Sequence, residues 1–191
     1  MVKVYTKTGD QGKTALVGGT RLLKSDSKID LYGEVDELNS SIGMIRAYIT
    51  SSKEKESLSS TEGQLTSLQS TLFSLGSYLA CEPEKRTDFN ILGISQKDIL
   101  DLEIQIDNMV KELPELKKFI LPAGELSAVQ THLARTICRR IERKMVLMNE
   151  NDKGYLESNT LIFINRLSDY FFTTARYLNF KLGHEESEWV K

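Results

Sequence analysis

The segment from residue 35 to residue 49, VDELNSSIGMIRAYI, spaces Val35, Leu38, Ile42, Ile45 and Ile49 by threes and fours. That step winds apolar side chains onto one face of an α-helix, whereas a strand would show a period of two. The step returns in Leu65, Leu68, Leu72, Leu75 and Leu79, and again in Ile99, Leu102, Ile106, Met109 and Leu113. The third run opens at Ser95, whose hydroxyl can accept from the first free N–H groups, and stops at Pro114. A fourth helix is expected from about residue 125 to 148. A fifth, from about 159 to 182, carries Leu161, Ile164, Phe171, Ala175 and Leu178. The charged, serine-rich SSKEKESLSS at 51–60 reads as a linker between the first two. The expectation is an all-α fold: a five-helix up-and-down bundle over 31–191, with 1–30 as an irregular arm against it. No internal repeat appears, and 191 residues suit one domain.

Composition narrows the function classes. The chain is 40% hydrophobic and 27% charged, with a net charge of −2. That balance is ordinary for a soluble protein and argues against a dedicated nucleic-acid binder. No signal peptide and no apolar run of membrane length is evident. Cys81 and Cys138 lack metal-ligand spacing, and only two histidines occur, His132 and His184. Free thiols in a reducing cytoplasm are the expectation.

The N-terminal stretch YTKTGDQGKTALVGG, residues 5–19, resembles a phosphate loop at first sight. A Walker loop needs a glycine five residues before its Gly-Lys pair, where Lys7 stands, and a helix directly after it. Neither requirement is met. The composition still suits an anion, because glycines expose backbone N–H groups while Lys and Thr add charge and donors. A solvated terminus is the alternative.

Four other places could carry chemistry. Wound at about 100° per residue, the fourth helix puts Arg135, Arg139 and Glu142 within about 60° of one another, with Leu126, Val129, Leu133 and Ile137 opposite. A solvated charged face would look the same, but Arg140 and Lys144 project into the apolar arc, where a charge needs a partner. In the first helix Asp36, Asn39, Ser40 and Gly43 share a face, fitting either a helix contact or a ligand. Asn165 and Asp169 interrupt an apolar fifth helix, where a buried Asn must find partners. On the loop KKFILPAGE, Phe119 and Ile120 are either exposed for use or a staple on Leu126.

Together, YTKTGDQGKT, GGTRLLKSD, YGEVDELNSSIG, FILPAGE, ARTICRRIER and NRLSDYFFTTARYLN, in this order, resemble the PduO-type ATP:cob(I)alamin adenosyltransferases, or corrinoid adenosyltransferases. The resemblance implies a homotrimer with sites at subunit interfaces. It implies transfer of the 5′-deoxyadenosyl group of ATP to the cobalt of cob(I)alamin, giving adenosylcobalamin and triphosphate. By position, Thr6, Lys7, Thr8 and Gly9 would wrap the phosphates, with Thr14 and Lys24 adding contacts. Arg139, Arg140, Glu142, Arg143 and Asn165 would lie on the nucleotide. Asp36 would pair with Arg135 at the subunit boundary and serve the corrinoid. Phe119 would pack against the lower corrinoid face. Magnesium would arrive with ATP, bound mainly through its phosphates rather than by protein side chains. A reductase and an adenosylcobalamin-dependent enzyme are implied partners. Gln11, Ala15 and Ala123 depart from the family's usual Lys, hydroxyl residue and Gly. A corrinoid carrier or escort, and a plain helical interaction module, are the competing readings.

Overall fold

The computed structural model describes residues 5–190. Five helices follow in order: α1 Ser27–Ser51, α2 Ser59–Leu79, α3 Gln96–Glu112, α4 Leu126–Asn151 and α5 Ser158–Lys181. α1 packs on α2 and α4, α4 also on α5, and α5 on α3. The central pair α1 and α4 therefore touches across a long sequence separation, while α3 closes the far side over α5. Leu31, Val35, Leu38, Ile42, Ile45 and Ile49 are buried in the common core with the α2 leucines.

Local chemistry sets the ends. Asp26 accepts from Lys28 N at 2.9 Å, so α1 begins at Ser27, four residues before the expected start of the bundle at 31. Ser95 and Asp98 form a reciprocal capping box at the start of α3, as its sequence indicates.

The arm is not wholly irregular. β1 Lys13–Ala15 pairs antiparallel with β2 Arg21–Leu23, with Thr14 opposite Leu22. Strands of three residues are too short to display an alternating pattern, which is why the sequence conceals them. Their turn closes through Leu16 N to Thr20 O at 2.9 Å, with Gly19 at φ +95°, a conformation natural to glycine.

The face of α4 also differs from expectation. Ile137 is buried, but Leu126 and Leu133 are 64% and 52% exposed and Val129 is exposed too. The inward face is instead Ala128, Thr131, His132, Ala134, Ile137, Cys138, Ile141 and Met145. Small residues let α1 and α5 approach α4 closely, and Thr131 satisfies its hydroxyl on Ser127 O at 2.7 Å. The larger leucines are left outside.

Candidate active site

Four arginines on α4 divide by their partners. Arg140 donates to Glu34 at 2.6 Å and pairs with Glu37, and Lys144 binds Asp30 and Glu34, each at 2.6 Å. The charges that intrude on the apolar arc are thus neutralised by α1, which accounts for their position. Hydrogen bonds from these two cations hold the Glu34 carboxyl below the usual carboxylate range against the opposing effect of burial. Arg140 therefore takes part in the α1–α4 contact within this chain.

Arg135, Arg139 and Arg143 are different. Arg139 and Arg143 are exposed, and no ion pair to them occurs among the described residues. Arg135 is half-buried, with its Nε enclosed and unpartnered. Burial, and then the neighbouring positive charge of Arg139, lowers the Arg135 pKa. Cations crowded together without a counter-ion favour an anion from outside the chain. Beside them Asn165 Nδ2 donates to Glu142 Oε1 at 2.7 Å, joining α5 to α4. Asn165 is exposed rather than buried, so its demand for a partner is met at the surface. Asp169 lies one turn on and pairs with Arg166 at 3.1 Å.

The arm gathers its own polar set. Thr6 and Thr8 hydroxyls are 2.8 Å apart, and Arg21 Nη2 donates to Thr8 O at 2.9 Å. Lys7 takes φ +60°, turning the chain so that Gly9 lies beside Lys24: a Cβ on Gly9 would stand 3.2 Å from the Lys24 ammonium. Thr6, Lys7, Thr8, Gly9 and Lys24 are brought together, with Thr14 half-buried on the adjoining strand. The turn of the hairpin rests at the end of α2, where Val17 N donates to Ala80 O at 2.8 Å. Val17 there lines a cleft of about 290 Å³ between α1 and α2 that also holds Asp36, Phe73 and Gly76.

Asp36 is exposed in that cleft and makes no pair with Arg135 within the chain. Its neighbour Asn39 is a helix contact: it donates to Gln69 O at 3.2 Å, and Gln69 Nε2 donates back to Asn39 O at 3.0 Å. Among the described residues, no hydrogen bond or ion pair joins the arm to the α4 arginines.

Phe119 is 78% exposed and is no staple on Leu126, itself exposed. Its loop is held from behind by the C-terminal segment: Leu121 N donates to Ser187 O at 2.7 Å and Trp189 N to Phe119 O at 2.8 Å. The two rings meet edge-to-face with centroids 6.3 Å apart. Gly124, at φ +111°, lets the chain pass Asn179, which accepts from Glu125 N and donates to Ala123 O. An apolar ring is thereby displayed on a braced loop.

Sequence reading missed several of these supports. Asn179 and the buried Arg176, which pairs with Glu186 and donates to Pro114 O at 2.8 Å, sat unremarked in an apolar helix. His132 is buried with neither ring nitrogen partnered, and burial, with the Arg135 charge adding to it, pulls its pKa down to about 4. A polar residue inside an otherwise apolar stripe was the available signal for each.

The family profile described as Cobalamin adenosyltransferase matches residues 4–178. The chain belongs to the cobalamin adenosyltransferase family. It is 40% identical over 190 residues to a corrinoid adenosyltransferase of Bacillus subtilis (strain 168), covering all of this chain and 93% of that protein. It is 38% identical over 191 residues to a human corrinoid adenosyltransferase, covering 99% of this chain and 74% of that one. A phenylalanine-to-alanine variant of the PduO-type ATP:corrinoid adenosyltransferase of Lactobacillus reuteri, complexed with cobalamin and ATP, superposes with a TM-score of 0.89 at 37% identity, covering 99% of this chain and all of that one. An arginine-to-lysine variant of the same enzyme, complexed with ATP, gives 0.86. As a cobalamin adenosyltransferase, the chain has the bundle its apolar spacing indicates. No helix of the described residues is long and apolar enough to cross a membrane.

Proposed function

We infer that this protein transfers the 5′-deoxyadenosyl group of ATP to the cobalt of a reduced corrinoid, releasing triphosphate. The observation that carries the reading is the ridge of Arg135, Arg139 and Arg143, without counter-ions among the described residues and flanked by the bonded pair Glu142 and Asn165. Family membership supplies the reaction.

The chemistry asks for such a surface. Cobalt(I) attacks carbon 5′ of the ribose; the carbon–oxygen bond breaks, its electron pair leaves with triphosphate, and the cobalt becomes formally cobalt(III). The nucleophile comes with the substrate, so no protein Ser, Cys or His has to be activated. The leaving group carries about four negative charges, and each donor aimed at developing charge contributes about 3 kcal/mol. Arg139 and Arg143 supply forked donors, while Thr6, Lys7, Thr8, Gly9, Thr14 and Lys24 close from the arm. Glu142 and Asn165 fix the nucleoside end. Arg140 braces α4 on α1 and aligns its neighbours instead of touching phosphate. Phosphate oxygens would hold magnesium, a hard cation that dehydrates reluctantly and suits a site of hydroxyls and water. The described residues contain no group of three or more His, Cys, Asp or Glu able to form a metal cage.

Since no hydrogen bond or ion pair joins the arm to the ridge among the described residues, the site is placed between two copies, in a homotrimer. The exposed Leu126, Val129 and Leu133 of α4 and Phe73 of α2 supply apolar surface for that contact. Asp36 of one copy would pair with Arg135 of the next, meeting the unpartnered Nε. Phe119 would lie under the corrin ring, excluding water and the lower base, so that four-coordinate cobalt is easier to reduce. Buried free thiols at Cys81 and Cys138 fit a reducing cytoplasm, where a reductase would supply the electron and a dependent enzyme would take the product.

Anaerobic incubation with ATP, magnesium and chemically reduced cobalamin tests the reaction. The visible spectrum should develop the absorption of a carbon–cobalt bond in step with triphosphate release. Corrinoid binding without consumption of ATP would make the protein a carrier instead.

A further inference from the structure

Besides the Val17–Ala80 backbone bond, the hairpin is fastened to the bundle by two side chains, Glu82 and Lys85. Glu82, three residues beyond α2, is 7% exposed. Its Oε2 accepts from Gly18 N at 3.0 Å and its Oε1 from Thr20 N at 3.1 Å. Lys85, on the short 3-10 turn Pro83–Lys85, donates to Gly18 O at 2.7 Å and pairs with Glu82 at 3.5 Å. A Cβ on Gly18 would stand 2.3 Å from Glu82 Oε2 and 2.3 Å from Lys85 Cδ. The turn can close on this pair only because residue 18 has no side chain.

This arrangement is not an ordinary core contact. A buried carboxylate is costly unless hydrogen-bonded, and both oxygens here are committed to backbone N–H groups of the arm. Gripping alternate N–H groups fixes the rotation of the turn as well as its position. Two strands of three residues give little independent rigidity, so the attachment, more than the ladder, sets where the hairpin lies. It lies with Val17 in the cleft that contains Asp36.

We propose that Glu82, with Gly18, is a positioning residue for adenosyl transfer: it clamps the hairpin onto the end of α2 and so sets where Thr6–Gly9, Thr14 and Lys24 meet the triphosphate. The inference rests on the reading of the arm as the triphosphate strap. Glu82 touches no substrate. Its larger effect is expected on the nucleotide, because the corrinoid platform at Phe119 is built from the loop before α4 and the C-terminal segment.

Steady-state kinetics of Glu82→Gln and Gly18→Ala, with Lys7→Ala as the control for the strap, separate the outcomes. Glutamine keeps the size of residue 82 but cannot accept at both oxygens, and Gly18→Ala leaves the bundle sequence untouched. Each is expected to raise the KM for ATP about tenfold, the order of one lost charge-assisted hydrogen bond, with the KM for corrinoid within about twofold. Hydrogen exchange at the amides of Gly18 and Thr20 should quicken in both, while the α1 and α4 amides keep their protection. If Lys7→Ala raises the KM for ATP but both clamp variants leave it within about twofold, the clamp is structural only and the proposal fails. If Lys7→Ala also leaves it unchanged, the strap reading fails with it. An equal rise in the KM for both substrates, with a lowered melting temperature, likewise overturns the proposal, since it reports general loosening.

Discussion

Arg139 and Arg140 are adjacent on α4, yet Arg140 is bound by Glu34 and Glu37 while Arg139 meets no counter-ion among the described residues. One peptide bond separates a cation paired with α1 from one left without a partner among the described residues. The α-helix makes this division, since consecutive residues point about 100° apart. The two arginines should therefore fail in different ways. Arg140→Ala leaves Glu34 with Lys144 alone in a half-buried contact and should cost about 1–2 kcal/mol of stability, with kcat largely kept once the protein is folded. Arg139→Ala should leave the melting temperature within a degree or two but depress kcat/KM for ATP by about two orders of magnitude. Thermal melts beside initial rates check both, and interchange of the two phenotypes would refute the assignment.

Phe119 stands out into solvent, so its removal should be nearly free for the fold. Phe119→Ala is expected to change stability by no more than about 0.5 kcal/mol. It should nevertheless abolish most cobalt(II) reduction on the enzyme, because water or the lower base regains the face the ring had covered. Reduction yield followed spectroscopically, together with a melting curve, is the check. An unchanged yield would remove Phe119 from the corrinoid site.

The Glu82 carboxyl gives a pH signature. Burial raises its pKa, but hydrogen bonds from the Thr20 hydroxyl and from the backbone N–H groups of Glu82, Thr20 and Gly18 outweigh burial and hold it at about 2, below the ordinary 4.5. A carboxyl depressed in the folded state contributes stability that is complete above its unfolded pKa and disappears as pH falls through the folded one. Wild type should therefore exceed Glu82→Gln in stability near neutral pH, and the gap should close between about pH 4.5 and pH 2. Chemical denaturation of both proteins across that window measures it. Taking the difference cancels the other depressed carboxylates, Glu34 among them, which both proteins share.

The helices were legible because a packed bundle writes a three-to-four step into large apolar residues, and Val35, Leu38, Ile42, Ile45 and Ile49 follow it and are all buried. The failure on α4 has the same root. Large leucines were weighted as core, whereas two neighbours close on α4 over Ala128, Thr131 and Ala134, leaving Leu126 and Leu133 free. The pairing of Arg140 and Lys144 was foreseeable from the cost of charge in an apolar arc; which acids would answer was not, since Asp30 and Glu34 lie more than a hundred residues away. The hairpin escaped notice because three-residue strands carry no period. Glu82 was likewise invisible: its partners are backbone groups, which every residue possesses, and the only trace was a glycine pair at Gly18 and Gly19.

The lack of any bond between the arm and the ridge among the described residues leads to a sharper test of assembly. If Asp36 and the strap come from one copy and Arg139 from the next, neither Asp36→Asn nor Arg139→Ala homo-oligomers contain a complete site. Mixed oligomers would. An interface at which the Arg139→Ala chain lends its intact Asp36 side and the Asp36→Asn chain lends its intact ridge is wholly native. Random co-assembly into closed rings makes about a quarter of the interfaces of that kind. Unfolding and refolding the two inactive variants together should restore about a quarter of wild-type adenosylation, and mixing them without exchange should restore none. The same experiment with Arg135→Ala and Arg139→Ala, both on the ridge, should recover nothing at any ratio. Absence of recovery in the first mixture despite proven co-assembly would return the whole site to a single chain, and recovery in the second would show that Arg135 and Arg139 do not serve one site.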